Sequence, residues 1–141
     1  MSLYLLDTNI CVHLIKGEFE IKEKIAKVGT KSCFLSEVTL AELLFGIENS
    51  APDRRRLNQE RFINFRALFV GRVLPISDFV YEYARQKAAL KRKGRTVGEF
   101  DMLIGATAIV RGLTLVTRNT KDFINMSGIQ LENWIDIRPN I

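Results

Sequence analysis

Three carboxylates stand beside breaks in apolar runs, and they lie far apart in the sequence. Asp7 follows the run at residues 3–6, Glu42 interrupts an apolar helical pattern, and Asp101 directly precedes another. An acid on an apolar face is costly unless it is paired or binds a metal ion. Hard divalent cations prefer carboxylate oxygens as ligands. The three acids therefore indicate a divalent-cation site, and Asn119, which follows another apolar run, is a polar fourth candidate.

Each acid taken alone also has a simpler interpretation. Asp7 begins an Asp-Thr-Asn string, which is typical of a helix N-cap. Asp101 fits an acid that the helix dipole favours in a first turn. Glu42 could lie on the polar face of its helix. The individual residues leave structural and ligand roles open, so the case for a site depends on whether the fold brings them together.

Short apolar runs alternate with helical patterns along the chain. The runs predict strands at residues 3–6, 33–35, 73–76 and 113–117, with an edge strand at 129–131. The patterns between them predict helices at 10–16, 19–28, 37–49, 53–69, 79–93 and 101–111, with a turn or short helix at 121–123. The predicted N-caps are Thr8 or Asn9, Ser36, and Ser77 with Asp78. This alternation is typical of an α/β fold whose central parallel sheet of four to five short strands is covered by helices.

The predicted sheet gives the candidate residues a common location. Parallel sheets bind ligands at the carboxyl ends of their strands. Asp7 and Asn119 follow the first and fourth strands, and Asp101 opens the helix that leads into the fourth. Glu42 lies about a turn and a half into the helix after the second strand. All four residues can face one edge of the sheet if the strand order permits, and the sequence does not fix that order.

Length and composition bound the class of protein. The chain has 141 residues, which fits a single domain spanning residues 1–141. Its hydrophobic share of 47% is ample for one core, and no apolar run is long enough to span a membrane. The N-terminal residues have no secretory-signal pattern, so we expect a cytoplasmic protein. The net charge of +5 is compatible with a polyanionic partner such as a nucleic acid.

The cysteines and the single histidine limit the catalytic mechanisms and metal ions that the chain can use. Cys11 and Cys33 lie in apolar settings and form no CxxC motif, so we expect buried free thiols, although the sequence leaves a disulfide between them open. His13 is the only histidine, which excludes an acid–base ribonuclease mechanism that uses two histidines. The chain also has no His/Cys set for zinc. The site chemistry therefore depends on oxygen ligands.

Four motifs, in order along the chain, carry a resemblance to a known family. They are LLDTN at residues 5–9, SEVTLAEL at 36–43, GEFDMLIGA at 98–106 and LVTRNTKDF at 115–123, trailed by LENW at 131–134. With these motifs the chain resembles a PIN-domain ribonuclease and, more closely, a VapC toxin of type II toxin–antitoxin systems. The resemblance extends over nearly the whole chain. It implies a PIN-like three-layer α/β/α fold and a Mg²⁺-dependent endoribonuclease, with Mn²⁺ as an alternative ion.

The resemblance also assigns expected roles to residues. The family's catalytic positions fall on Asp7, Glu42, Asp101 and Asn119, and the first three match its metal ligands. Asn119 is a departure, because many PIN domains have Asp there. The lost charge leaves open whether a second ion is held.

Neighbouring polar residues extend this implied site. Thr8 and Thr117 match polar positions whose hydroxyls could orient a carboxylate or a water molecule. Asp122 and Glu99 are candidates to supply the missing charge, although neither matches the family's ligand position.

The basic residues and the resemblance together suggest partners. Arg95, Arg118 and Lys121 are close in sequence to Asp101 or Asn119, so they are candidates to bind RNA phosphate. A solvated helix face is the alternative interpretation for such clusters. The resemblance implies a tRNA or rRNA substrate, a homodimer and inhibition by a VapB-like antitoxin.

The sequence leaves two alternatives to the endoribonuclease open. The first is a PIN-fold module that binds RNA or a partner without catalysis, which the Asn119 departure would favour. The second is a metal-dependent phosphatase with an aspartyl nucleophile, as in haloacid-dehalogenase folds. That class requires a second Asp two residues after the first, and this chain has Asn9 there.

Overall fold

Five strands, separated by one or two α-helices each, and seven α-helices in all lie within residues 2–136, which are the residues described by the computed structural model of the protein. The strands are β1 (Tyr4–Leu6), β2 (Cys33–Ser36), β3 (Val73–Leu74), β4 (Thr114–Val116) and β5 (Leu131–Glu132). The helices are α1 (Thr8–Lys16), α2 (Ile21–Val28), α3 (Glu37–Glu48), α4 (Pro52–Ala67), α5 (Val80–Arg92), α6 (Glu99–Arg111) and α7 (Thr120–Phe123). Short 3₁₀ helices lie at Thr30–Ser32 and Ile76–Phe79. None of the helices in this part of the chain is long and apolar enough to cross a membrane.

The strands form one parallel sheet in the order β3-β2-β1-β4-β5. The chain runs from β1 to β2 and β3 on one side, then crosses to β4 and β5 on the other. The carboxyl ends of β1 and β4 are therefore adjacent at the point where the order reverses, and Leu6 pairs with Val116 there. Ligands bind at such switch points in α/β sheets. The predicted parallel sheet is confirmed, and the strand order is the one that the candidate site requires.

Helices cover both faces of the sheet. Successive strand residues point to opposite faces, and the fully buried pair Leu5 and Leu6 shows this division. Leu6 belongs to the core cluster that includes Ile10 of α1 and Phe62 of α4. Leu5 belongs to the cluster that includes Met102 of α6 on the opposite face. This arrangement confirms the predicted three-layer α/β/α fold.

A glycine permits the close packing that places the segment after β4 beside α6. A Cβ atom on Gly105 would lie 2.5 Å from Sδ and 2.7 Å from Cε of Met126, and 3.5 Å from the ring of Phe123. Both of these side chains are buried against α6. Glycine therefore allows α7 and the turn after it to approach the helix that carries Asp101.

Two predicted helix caps are wrong. Asp7, not Thr8 or Asn9, is the N-cap of α1, because its extended backbone lets the carboxylate accept a hydrogen bond from the backbone N–H of Thr8. Ser77 and Asp78 lie inside the 3₁₀ helix Ile76–Phe79 and cap nothing, because the chain already turns directly after Pro75. The cap predicted at Ser36 is confirmed, since its hydroxyl accepts from the backbone N–H of Val38 at 3.1 Å.

The start of α2 also differs from the prediction. The helix predicted from residue 19 begins at Ile21, because Phe19 and Glu20 have φ angles of 55° and 56°. A left-handed backbone is strained for non-glycine residues and ends any helical path. The Phe19 side chain instead packs edge-to-face against His13, with ring centroids 4.8 Å apart.

The two cysteines are buried free thiols, as expected. Both belong to the core cluster on the α1 face. Burial raises the pKa of the Cys11 thiol well above its ordinary value and that of Cys33 to about 11. The thiols are therefore protonated at neutral pH and act as small apolar side chains.

Candidate active site

The four predicted catalytic residues line one pocket at the carboxyl end of the sheet. The pocket encloses about 290 Å³, and we call it the acidic pocket; it is lined by Asp7, Thr8, Asn9, Val12, Glu42, Asp101, Asn119 and Phe123. Four elements supply the predicted residues: the end of β1, the middle of α3, the first turn of α6 and the segment between β4 and α7. The fold therefore assembles residues that are up to 112 positions apart in sequence, the separation between Asp7 and Asn119.

Asp7 is the most buried acid of the pocket, with 4% of its surface exposed. One carboxylate oxygen accepts from the backbone N–H of Thr8 at 2.8 Å. The other accepts from the Thr117 hydroxyl at 2.8 Å and from the Asn9 side-chain amide at 3.2 Å. These donors fix the carboxylate in one orientation. Asp7 thus has the capping role and also lines the pocket, so the two interpretations left open by the sequence are compatible.

Asn9 and Thr117 join the ends of β1 and β4. The Asn9 amide nitrogen lies 3.3 Å from the Thr117 hydroxyl, and its oxygen accepts from the backbone N–H of Arg118 at 3.1 Å. The Thr117 hydroxyl also accepts from the backbone N–H of Asn119 at 3.1 Å. Sequence reasoning missed Asn9, because an Asx residue beside a helix start is read as a cap. Its position two residues after an acid that ends a buried strand was the available signal.

The Glu42 carboxylate is oriented by a hydroxyl at the start of α1. The Thr8 hydroxyl donates to one Glu42 carboxylate oxygen at 2.6 Å. The hydroxyl of Thr39, which is fully buried one turn earlier in α3, lies 3.1 Å from that of Thr8. Thr8 therefore acts between β1 and α3 as the sequence predicted a hydroxyl could. Thr39 is a second supporting residue that the sequence reasoning did not single out.

The carboxylates of Asp101 and Asp122 are not oriented by hydrogen bonds from described residues. Within residues 2–136, no group donates a hydrogen bond to either carboxylate. Asp101 lies in the first turn of α6, and Asp122 lies in α7. The packing of α7 on α6 brings Asp122 close enough for its charge to act on both Asp101 and Asp7.

Burial and mutual repulsion raise the pKa of two acids in the pocket. Burial is the main cause for Asp7, opposed by the hydrogen bonds from Thr117 and Thr8 and reinforced by the charges of Glu42 and Asp122. Burial is again the main cause for Asp101, whose pKa rises to about 6 with further contributions from Asp7, Glu42 and Asp122. Among residues 2–136, no cationic side chain forms an ion pair with these acids, so negative charge is concentrated here, which is the electrostatic setting that a bound cation stabilises.

The donor set fits a water-rich divalent-cation site better than a closed protein cage. In residues 2–136, no group of three or more His, Cys, Asp or Glu side chains is arranged to hold a metal ion by itself. Mg²⁺ keeps several water molecules and is commonly bound through one or two carboxylates together with substrate phosphate. An open pocket with converging carboxylates meets that requirement.

The two acids considered as substitutes for the missing charge at Asn119 differ in their surroundings. Glu99 is bound by the Lys87 ammonium and the Tyr83 hydroxyl, and these hydrogen bonds lower the pKa of its carboxyl group. Its charge is thereby offset outside the acidic pocket. Asp122 instead adds its charge to that of Asp7 and Asp101. Of the two, only Asp122 contributes negative charge to the pocket.

The three candidate phosphate-binding residues also separate into two groups. Arg95 and Lys121 line a second cleft of about 390 Å³, which shares Asp101 with the acidic pocket. Arg118 is directed elsewhere: it pairs with Asp136 at 3.2 Å, and its guanidinium lies 5.0 Å from the centre of the Phe19 ring. The structure therefore brings two of the three residues beside the acids.

Comparison with known proteins identifies the family and agrees with the fold. Residues 4–129 match the PIN domain family. The chain is 36% identical to the tRNA(fMet)-specific endonuclease VapC of Shigella flexneri, in an alignment that covers 95% of this chain and 99% of the relative. It is 35% identical to ribonuclease VapC2 of Rickettsia felis, with 94% and 98% covered.

A solved structure gives the same result in three dimensions. The fold superimposes with a TM-score of 0.85 on a chain in the structure of VapBC2 from Rickettsia felis bound to a DNA fragment from their promoter. The two chains are 30% identical, and the match covers 94% of this chain and 99% of that one. The haloacid-dehalogenase alternative is therefore wrong. The chain belongs to the VapC ribonucleases of the PIN-domain family.

Proposed function

We propose that this protein is a divalent-metal-dependent endoribonuclease that acts as the toxin of a type II toxin–antitoxin pair. The observation that carries the proposal is the convergence of Asp7, Glu42 and Asp101 on one pocket at the switch point of the sheet. Together with water molecules and substrate phosphate, these carboxylates would hold Mg²⁺, or Mn²⁺ in its place. The bound cation would offset charge on the scissile phosphate and activate a water molecule for attack.

The protein side chains would orient the metal ligands and accept a proton. Asp7 and Glu42 present carboxylates whose orientation is fixed by Thr117, Asn9 and Thr8. Fixed donors require little reorganisation when the transition state forms, which is where such sites gain most of their effect. Asp101 has a raised pKa and no hydrogen-bond donor among the described residues, so it is the acid best suited to accept a proton from the attacking water.

Asn119 favours a site that holds one ion firmly. Its side chain supplies a neutral oxygen or amide where a carboxylate would attract a second cation. Asp122 partly compensates through its charge on Asp7 and Asp101. We therefore assign Asn119 to substrate or water positioning and Asp122 to the attraction of the cation.

The relatives suggest substrate and partners. The Shigella flexneri relative is named as a tRNA(fMet)-specific endonuclease, and solved neighbours are VapBC complexes. By this relationship the substrate is a structured RNA of the tRNA class, and a VapB-like antitoxin neutralises the enzyme. A homodimer is part of the same proposal. Recognition of such an RNA depends on its shape and unpaired loops.

The test is cleavage of an in vitro transcribed initiator tRNA by the purified protein. We expect defined cleavage products with Mg²⁺, none after chelation with EDTA, and recovery when excess Mg²⁺ is returned. Cleavage that persists in EDTA would contradict metal dependence. Growth arrest on expression, relieved by the gene product encoded beside it, would test the toxin role separately.

The same experiment decides the second candidate function, RNA binding without catalysis. The specific observation in its favour is Asn119 at a position where many PIN domains have an acid. Tight binding of the tRNA with no cleavage at any Mg²⁺ or Mn²⁺ concentration would support that candidate and would overturn the nuclease.

A further inference from the structure

We propose that the cleft beside the acidic pocket is a phosphate-binding subsite, in which Arg95 and Lys121 bind the RNA phosphate that neighbours the scissile one. We call it the basic cleft; it is lined by Arg95, Thr96, Val97, Gly98, Asp101, Lys121, Asp122 and Asn125. The proposal rests on the proposed function for the identity of the ligand. It adds the direction in which the strand leaves the acids, towards the α5–α6 loop.

The two cations of the basic cleft are available to a ligand. Arg95 lies in the loop between α5 and α6, Lys121 lies in α7, and both are exposed. Within residues 2–136, neither side chain forms an ion pair or a hydrogen bond. Phosphate oxygens accept charge-assisted hydrogen bonds from both residue types. Because the two cations come from different elements, they can contact one phosphate from two sides.

The position of the acids makes the cleft an extension of the acidic pocket. Asp101 lines both cavities, so a phosphate between Arg95 and Lys121 would be separated from the pocket by one side chain. Asp101 and Asp122 would repel such a phosphate on their own. The cleft has one cation for each of these two acids, and a bound phosphate would contact the cations, while Thr96 and Asn125 add polar groups for sugar or phosphate contacts.

Arg118 lines neither the acidic pocket nor the basic cleft, and its surroundings exclude the same role. It follows Thr117 at the end of β4, and its guanidinium is held between Asp136 and the ring of Phe19. A phosphate there would compete with the Asp136 carboxylate. Of the three candidates, only Arg95 and Lys121 are therefore unpaired among the described residues, and the proposed path of the strand follows them to the α6–α7 side.

The experiment measures binding without cleavage. A fluorescein-labelled single-stranded RNA of mixed sequence, about 12 nucleotides long, is titrated by fluorescence anisotropy in EDTA at several salt concentrations. The variants are Arg95→Gln and Lys121→Gln. Lys93→Gln is the matched control, because it removes one exposed positive charge two residues from Arg95 and lies outside the basic cleft. Arg118→Gln tests whether the arginine paired with Asp136 binds the strand instead.

The expected result is specific to the basic cleft. Arg95→Gln and Lys121→Gln each weaken binding about tenfold and lower the slope of log affinity against log salt by about 0.7, which is one phosphate contact on a single strand. Arg95→Lys, which keeps the charge, recovers part of the loss. Lys93→Gln binds within about twofold of wild type, and thermal melting shows that all variants are folded.

Several results would overturn the subsite. They are unchanged affinity and slope in both cleft variants, equal losses in Lys93→Gln, a larger loss in Arg118→Gln than in either cleft variant, and no binding by the wild type. Since no cleavage is measured, the subsite can hold while catalysis fails. A protein that binds RNA through the cleft but never cuts tRNA would contradict the nuclease and leave the subsite supported.

Discussion

The two sides of the acidic pocket are built differently. On the β1 side, hydroxyl and amide groups from Thr8, Asn9 and Thr117 donate to the carboxylates of Asp7 and Glu42. On the α6–α7 side, Asp101 and Asp122 receive no hydrogen bond from any described residue, and the charge of Asp122 acts on both Asp7 and Asp101. One side is organised by the fold. We propose that a cation and the substrate would organise the other side.

This difference shows how a short parallel sheet can position a site although only some of its carboxylates are held by hydrogen bonds from the protein. The β1 side can be rigid because β1 and β4 are neighbouring strands whose ends are joined by backbone hydrogen bonds, including that from Asp7 to Val116 at 2.9 Å. The other side is carried by helices, which are attached through side-chain packing. Carboxylates left unpaired cost stability, and that cost is what a bound cation can recover.

The largest effect is expected from removing a carboxylate on either side. Asp7→Asn and Asp101→Asn should each lower tRNA cleavage by about 10³-fold, because each would remove a ligand of the cation, whose contribution is several kcal/mol. Asp53→Asn, which changes an exposed first-turn acid of α4, is the control and should cleave normally. Cleavage within tenfold of wild type in either pocket variant would show that the corresponding side is dispensable.

A smaller effect is expected from loosening the organised side while its carboxylates stay in place. Thr117→Val removes the hydroxyl that donates to Asp7 and accepts from the backbone of Asn119. We expect the Mg²⁺ concentration for half-maximal cleavage to rise about 10- to 100-fold, as for other groups that orient metal ligands. Thr117→Ser keeps the hydroxyl and should behave nearly as wild type. Equal behaviour of the valine and serine variants would mean that this orientation is unimportant.

Changing the charge on the less organised side should have a more modest effect, with opposite signs at two positions. Asn119→Asp restores an acid and should tighten Mg²⁺ binding about 5- to 10-fold, whereas Asp122→Asn should weaken it by a similar factor. These factors correspond to about 1 kcal/mol of interaction between charges in a partly screened pocket. A Mg²⁺ titration of the cleavage rate measures both. Shifts of the same sign in the two variants would contradict the charge-based account of Asp122.

The smallest effect is on stability without metal. The folded-state pKa of Asp101 is about 6, above its ordinary value of 3.8, so the folded protein binds more protons between these values. Its contribution to the free energy of unfolding therefore falls as pH rises through about 4 to 6 and stays low above that range. Asp101→Asn should raise the melting temperature in EDTA by about 2–4 °C near pH 7.5.

The pH dependence supplies the control for that prediction. At about pH 3, below both pKa values, Asp101 is largely protonated in the folded and the unfolded state, so the wild type and Asp101→Asn should melt at similar temperatures. Differential scanning calorimetry at both pH values measures the two differences. A melting temperature of Asp101→Asn below that of the wild type at neutral pH would show that the carboxylate is not repelled in the metal-free pocket.

The sequence predicted the organised side better than the other side. Asp7 and Thr117 both follow buried strands, so their meeting required only that β1 and β4 be neighbours, and the strand order meets this condition. Asn9 was misread because its spacing suits a cap, while its amide in fact joins the two strands. That role depends on the distance between strand ends, which no local pattern contains.

The α6–α7 side depends on packing that sequence patterns do not report. Asp122 acts on Asp101 because Gly105 allows the close approach of Met126 and Phe123 to α6. The different roles of Arg95 and Arg118 follow from their neighbours in space, above all Asp136 and Phe19. The helical spacing of Ile21, Ile25 and Val28 predicted a helix from residue 19, and it does not report the left-handed backbone at Phe19 that places this ring.

Binding of the cation is the most direct test of the claim that the acidic pocket is a divalent-metal site. Mn²⁺ is titrated into the wild type and into Asp7→Asn, without RNA, by isothermal titration calorimetry near neutral pH. The account predicts one Mn²⁺ bound per wild-type chain and at least about tenfold weaker binding to Asp7→Asn. Identical binding curves for the two proteins, or no binding to the wild type even at millimolar Mn²⁺, would contradict it.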